Sequence, residues 1–262
     1  MWQIAQPTRN PNQTPTTKHK PPRDPLVVVV HSNPSATTTI DKKQKALTTS
    51  THKNTQAKTD NYHHPPNKPM KQVILITGTP CTGKTTTAKQ LAQKLNAQYI
   101  NLTEYAKTYG LTLGEDKERK TTIINEQAMH QKLAQTIQTS TNQNIIIDGH
   151  YAPAVTPTEL TTHVFVLRRN PKELKQHMQK SGFSNQKLWE NLAAEILDTC
   201  LIEALQTQQG KVCELDVTGK TVDENVAEIV AVLEKTKPCY NGIVDWLGLL
   251  EREGLTDQYL KA

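Results

Sequence analysis

The stretch Gly78-Thr-Pro-Cys-Thr-Gly83-Lys84-Thr85 fits the spacing G-x-x-x-x-G-K-[ST]. That spacing serves phosphate chemistry. Glycines at Gly78 and Gly83 let the backbone turn successive N–H groups toward phosphate oxygens. A helix starting near Lys84 would aim its positive dipole end at the same point. Lys84 would reach the terminal phosphates, and Thr85 would offer its hydroxyl to Mg²⁺. Cys81 stands at a variable position with two readings: a small residue that fits, or a thiol that amide dipoles and Lys84 turn toward thiolate.

A second set of residues follows apolar runs further along. Asp148 ends "NIIID", where a carboxylate would lie beside the loop and hold Mg²⁺ through water, or simply cap the next turn. His150 lies just past that strand end, the place where ligands bind in open α/β sheets, and could orient a water or a phosphate. Arg168 and Arg169 close "HVFVLRR" and could stabilise charge spread over a transferring phosphoryl group, or face solvent. No N-K-x-D for guanine is present, which argues against a GTPase.

These residues need a scaffold, and the chain alternates strand and helix patterns after Met70. "KQVILITG", "NIIIDGH", "HVFVLRR" and "KVCELDVTG" are apolar runs of strand length, suited to burial on both faces. "KTTTAKQLAQKLN", "EQAMHQKLAQTIQ" and "TVDENVAEIVAVLEKT" have helical spacing, and "NQKLWENLAAEILDTCLIEALQTQQ" reads as one long helix. Asn170 and Pro171 mark a helix start. "LTLGEDKERKTTIIN" reads as charged and irregular, ending in an extended run. The alternation predicts an α/β fold: a parallel sheet with helices on both faces, phosphate binding at its first strand–turn–helix unit. In "VDWLGLLEREG", Trp246, Leu249 and Leu250 share a helical face, which would pack on the core or enter a partner's groove.

Residues 1–70 are different in kind. They hold 10 of the 15 prolines, none of the 11 glycines, and ten basic residues against three acidic ones. The net charge of +6 is therefore +7 in this extension and −1 elsewhere. So few apolar residues cannot offset ordering entropy, which predicts disorder and makes Met70 a plausible second start; a cationic arm that contacts RNA is the other reading. No apolar run approaches membrane-span length. Cys81, Cys200, Cys213 and Cys239 form no C-x-x-C pair, so a reduced, cytoplasmic protein without disulfides is expected.

The segments "LITGTPCTGKTTTAKQLAQKL", "YINLTEYAK", "NIIIDGHYAP", "VFVLRRNPKELKQHMQKSGFSNQKLWENLAAEILD" and "LDVTGKTVDENVAEI" together resemble the adenylate kinase isoenzyme 6 family over roughly residues 71–236. The resemblance implies a P-loop NTPase fold of the nucleoside monophosphate kinase kind, with a short lid. It implies ATP + AMP giving two ADP with Mg²⁺, a linked ATPase activity, and a role in small ribosomal subunit maturation with a platform protein as partner. By position, Cys81, Gly83, Lys84, Thr85 and Thr86 would bind ATP phosphates, and Gly219 and Lys220 would lie against adenine. Asn101 to Ile124 would form the monophosphate region with Asn101 and Arg119 as contacts, and Lys180 to Glu190 the lid, leaving 237–262 as a C-terminal linker and helix. The family usually has glycine at Cys81 and arginine at Lys180. Lysine lacks the bidentate grip of arginine, which predicts a reduced transfer rate. A small-metabolite kinase stays open as an alternative.

Overall fold

The computed structural model describes residues 71–116, 121–183 and 185–260. The extension 1–70 and Arg119 lie outside the described residues. The described residues begin with β1 (Gln72–Thr77), α1 (Lys84–Lys94), β2 (Gln98–Asn101) and α2 (Leu102–Thr108). An antiparallel pair follows, β3 (Thr112–Asp116) and β4 (Thr121–Ile124), then α3 (Glu126–Thr139), β5 (Asn144–Asp148) and α4 (Ala152–Val155). Next come β6 (His163–Arg168), α5 (Pro171–Lys180), α6 (Asn185–Ile196), α7 (Thr199–Thr207) and β7 (Val212–Asp216). The last elements are α8 (Val222–Leu233), α9 (Trp246–Arg252) and α10 (Thr256–Tyr259).

Five strands form one parallel sheet in the order β2-β5-β1-β6-β7. Side chains alternate across it. Val73 and Leu75 of β1 join a core with α2, α3, α4 and α7, while Ile74 and Ile76 join one with α1 and α8. Both sets are buried, each such aliphatic side chain contributing about 1.5–3 kcal/mol. This is the parallel sheet with helices on both faces that the alternation predicts, in the P-loop NTPase arrangement that the resemblance implies, and β1, at its centre, delivers the chain into the phosphate loop. The helix starts are fixed locally: Asn101, Asn125 and Asn170 cap α2, α3 and α5, and Thr221 with Glu224 makes a capping box on α8.

Three expectations differ from the structure. The region after α2 is not irregular but pairs as β3 and β4. The long helix is broken, because Asp198 adopts a left-handed conformation (φ 56°) between α6 and α7 and turns its carboxylate to Arg168. Cys213 and Cys239 are joined in a disulfide, 26 residues apart in sequence. The segment after α8 runs back beside β7, where the Glu214 amide donates to the Tyr240 carbonyl at 2.7 Å, and this brings the sulfurs together.

The C-terminal helix α9 packs within the protein. Leu250 and Tyr259 are buried in a third cluster with Leu174 and Met178 of α5 and Leu192 and Ile196 of α6. Among the described residues no helix is long and apolar enough to cross a membrane.

Candidate nucleotide site

The phosphate loop forms where β1 ends. Gly78 has φ 131°, and a Cβ there would run into the carbonyl oxygen of Leu167, so only glycine fits. Gly83 is the left-handed N-cap of α1, and no side chain caps this helix. With no acidic residue in its first turn either, the leading amides and dipole of α1 are presented to an anion. Lys84 donates from Nζ to the Thr79 carbonyl at 2.8 Å, which holds its ammonium at the loop. Burial lowers its pKa, and neighbouring Cys200, Asp148, Cys81 and Glu195 pull it partly back.

Asp148, 1% exposed, brings the second strand end to the same point. Its Oδ2 accepts from Thr85 Oγ1 at 2.7 Å, Tyr99 Oη at 2.9 Å and Asn101 Nδ2 at 2.9 Å. Register explains the meeting: Asn101 of β2 pairs with Asp148 of β5, which pairs with Ile76 of β1 just before the loop. Hydroxyl and carboxylate oxygens are the hard donors that Mg²⁺ takes, with phosphates and waters completing its shell. No cluster of three or more His, Cys, Asp or Glu suited to a metal occurs among the described residues. One carboxylate plus one hydroxyl fits an ion that a nucleotide brings with it.

Asn101, expected as a monophosphate contact, makes two bonds within the protein. Its amide donates to Asp148 while its carbonyl oxygen caps α2 through the Glu104 amide at 3.2 Å. Tyr99, not singled out in the sequence, is the third donor to Asp148; the signal was its place two residues before Asn101 on the same strand. Burial and the Asp148 charge raise its phenol well above the ordinary value. His150 stands at the strand end as expected, and its backbone carbonyl accepts from Thr77 Oγ1 at 2.8 Å. Burial and then Lys84 push its imidazole down to about 3, so it is neutral at ordinary pH.

The two arginines separate. Arg168 does not reach the phosphate loop's ligand side. It is fully buried and pairs with Glu195 at 3.0 Å, with Glu214 and with Asp198. All three guanidinium nitrogens are taken up, and burial raises the Glu214 carboxyl while Arg168 opposes the shift. Its expected catalytic role is corrected to a buried charge network. Arg169 takes the site-facing position instead. Its Nη2 donates to the Thr82 carbonyl at 3.3 Å, and its Nη1 pairs with Glu173.

A cavity of about 480 Å³ opens beside the loop, lined by Gly83, Thr86, Arg169, His177, Gly219, Lys220 and Asn225 among others. The Gly219 amide donates to Glu173 at 3.0 Å, which ties this turn to α5, and Lys220 pairs with Glu228 at 2.7 Å. The structure thus brings Thr86, Gly219 and Lys220 together around one space. His177, missed in the sequence, also lines this cavity, and burial followed by Arg169 and Lys180 lowers its pKa. Lys180, by contrast, is exposed at the end of α5 and does not line the cavity. Cys81 has φ 68° and packs against the apolar cluster of α5 and α6.

Comparison with known proteins gives a coherent set of likenesses. Residues 74–198 match the family described as AAA domain. A Thermococcus kodakarensis protein named "Putative adenylate kinase" is 37% identical over 174 residues, covering 66% of this chain and 92% of that protein. A Methanocaldococcus jannaschii protein of the same name is 36% identical over 173 residues, again 66% and 92%. Among solved structures, a shikimate kinase from Bacteroides thetaiotaomicron aligns with TM-score 0.43 and 23% identity, over 62% of this chain and 98% of that one.

Proposed function

The chain belongs to the family of these archaeal proteins, and from that premise we propose that it is an adenylate kinase, moving the terminal phosphoryl group of ATP to AMP to give two ADP. The observation that carries this reading is the meeting of Thr85 and Asp148 at the uncapped start of α1, with Lys84 alongside.

In this reading the loop amides and Lys84 hold the ATP phosphates, and the cavity bounded by Thr86, Gly219 and Lys220 takes the adenosine part. An AMP phosphate oxygen attacks the terminal phosphorus as the bond to the bridging oxygen breaks, and ADP leaves with that electron pair. Mg²⁺, held by Thr85 and Asp148, would withdraw charge from the phosphate oxygens. Positive charge is needed where the transferring group spreads its negative charge. Arg169, hydrogen-bonded to the loop at the Thr82 carbonyl, joins Lys84 in that task, while Lys180 at the exposed end of α5 would have to close onto it. His150, being neutral, orients rather than transfers a proton. The acceptor binds toward α2, β3 and β4, the region that holds Arg119.

A second reading makes ATP hydrolysis in small ribosomal subunit maturation the main task, with a platform protein as partner. The +7 extension, suited to RNA, favours it.

Purified protein with ATP, Mg²⁺ and either AMP, CMP, shikimate or no acceptor separates these readings. The kinase reading expects rapid ADP formation with AMP alone, reduced about 10²–10³-fold in Lys84→Ala. ADP release indifferent to AMP would replace the kinase by an ATPase, and turnover with shikimate would move it to a metabolite kinase.

A further inference from the structure

The C-terminal segment adds no strand to the sheet, yet it reaches the underside of the phosphate loop. Cys239 is bonded to Cys213, and the Ile243 amide donates to Glu214 Oε2 at 2.7 Å. Trp246, 7% exposed, then donates from its indole nitrogen to Glu195 Oε1 at 3.1 Å. Glu195 is 1% exposed, and its other oxygen accepts from Thr79 Oγ1 at 2.5 Å. Thr79 belongs to the loop itself, and its carbonyl receives Lys84 Nζ and the Thr82 hydroxyl. Three hydrogen bonds therefore lead from the indole of Trp246 to the ammonium of Lys84.

We propose that Glu195 and Trp246 are positioning residues for nucleotide binding, so that docking of the C-terminal helices and binding of ATP favour each other. The inference rests on the loop being the nucleotide site. Its physical basis is that Glu195 holds Thr79 from below, and the Thr79 carbonyl decides where Lys84 stands. Oε1 of Glu195 also accepts from Arg168 Nε and from the Arg169 amide, each at 3.0 Å. Loss of the indole N–H would therefore leave the carboxylate paired and the fold intact, but free to rotate about those two donors. The rotation moves Thr79, the one loop residue it holds. Coupling of this kind is reciprocal: whatever the docked helices contribute to ATP affinity, bound ATP returns to their docking.

The test uses the full chain. Trp246→Phe keeps an aromatic side chain at this buried position and removes the donor. The expected result is an ATP dissociation constant and KM raised about five- to tenfold, the low end of coupling between two sites. Turnover at saturating ATP should stay within about twofold, and the melting temperature without ATP should fall modestly, since a buried hydrogen bond and part of the indole packing are lost. In the wild-type protein, ATP with Mg²⁺ should slow amide exchange across Trp246–Arg252, and this slowing should be lost in the variant. An unchanged ATP affinity in Trp246→Phe, or α9 amides blind to ATP, would overturn the proposal. Failure of the wild-type protein to bind ATP by calorimetry would overturn the reading of the site, and this proposal with it.

Discussion

Two carboxylates lie on opposite sides of the phosphate loop, and their partners differ in kind. Asp148, beside the start of α1, is hydrogen-bonded by a threonine hydroxyl, a tyrosine hydroxyl and an asparagine amide, all neutral. Glu195, behind the loop, is bonded by a guanidinium, a backbone amide, an indole and a threonine hydroxyl. Neutral donors orient a carboxylate without cancelling its charge, so Asp148 can still meet a cation. An arginine cancels it, so Glu195 is committed to the interior. One residue class thus keeps its charge uncancelled beside Thr85 at one position and is a structural strut at the other, and the partners decide which. The adjacent arginines repeat the division: Arg168 belongs to the rear network, and Arg169 to the loop.

The largest effect that would sharpen this contrast is on stability. Arg168→Ala strands Glu195 and Glu214 without their cation inside the protein, and should destabilise by about 3–5 kcal/mol. Chemical denaturation measures it; a loss under about 1 kcal/mol would mean that the rear network is not the strut described here. Tyr99→Phe should leave stability nearly unchanged and weaken apparent Mg²⁺ affinity about tenfold, the size of effect seen when a ligand's outer partner is removed. Titration of activity against Mg²⁺ checks it, and an unaltered midpoint would remove Asp148 from the cation's shell.

The smallest expected effect concerns pH. His150 is pushed down to about 3 by burial and by Lys84. Between pH 6.5 and that value, the unfolded chain binds a proton at this position that the folded chain refuses, so stability falls as the pH drops and is unaffected above 6.5. His150→Gln should flatten the acid side of the stability profile. It should also leave the rate profile without a lost inflection near pH 6.5, since a neutral imidazole does not titrate there.

Much of the site was legible because it is local. The loop needs glycine at Gly78 for steric reasons that hold in any such turn, and Lys84 and Thr85 follow at fixed spacing. The strand order of an α/β chain then places Asp148 nearby. Glu195 had a weaker signal: a single carboxylate inside the apolar run "LAAEIL". The helical periodicity ran on through Asp198 because Cys200 and Leu201 continue the apolar face, and nothing local announces that Asp198 will break the helix to reach Arg168. The disulfide was hidden for a similar reason, since its two cysteines meet only through the return of the chain beside β7.

The division follows the range of the forces. Backbone conformation, capping and the alternation of side chains across strands act over a few residues, and they determined the sheet, the phosphate loop and the helix starts. Arg168 ends β6 and Arg169 lies just past it, and the two neighbours in sequence meet different partners. Which of them meets acids and which meets the loop was decided by the packing of α6, α7 and the C-terminal segment, because a buried charge takes its role from the partners that tertiary contacts bring to it.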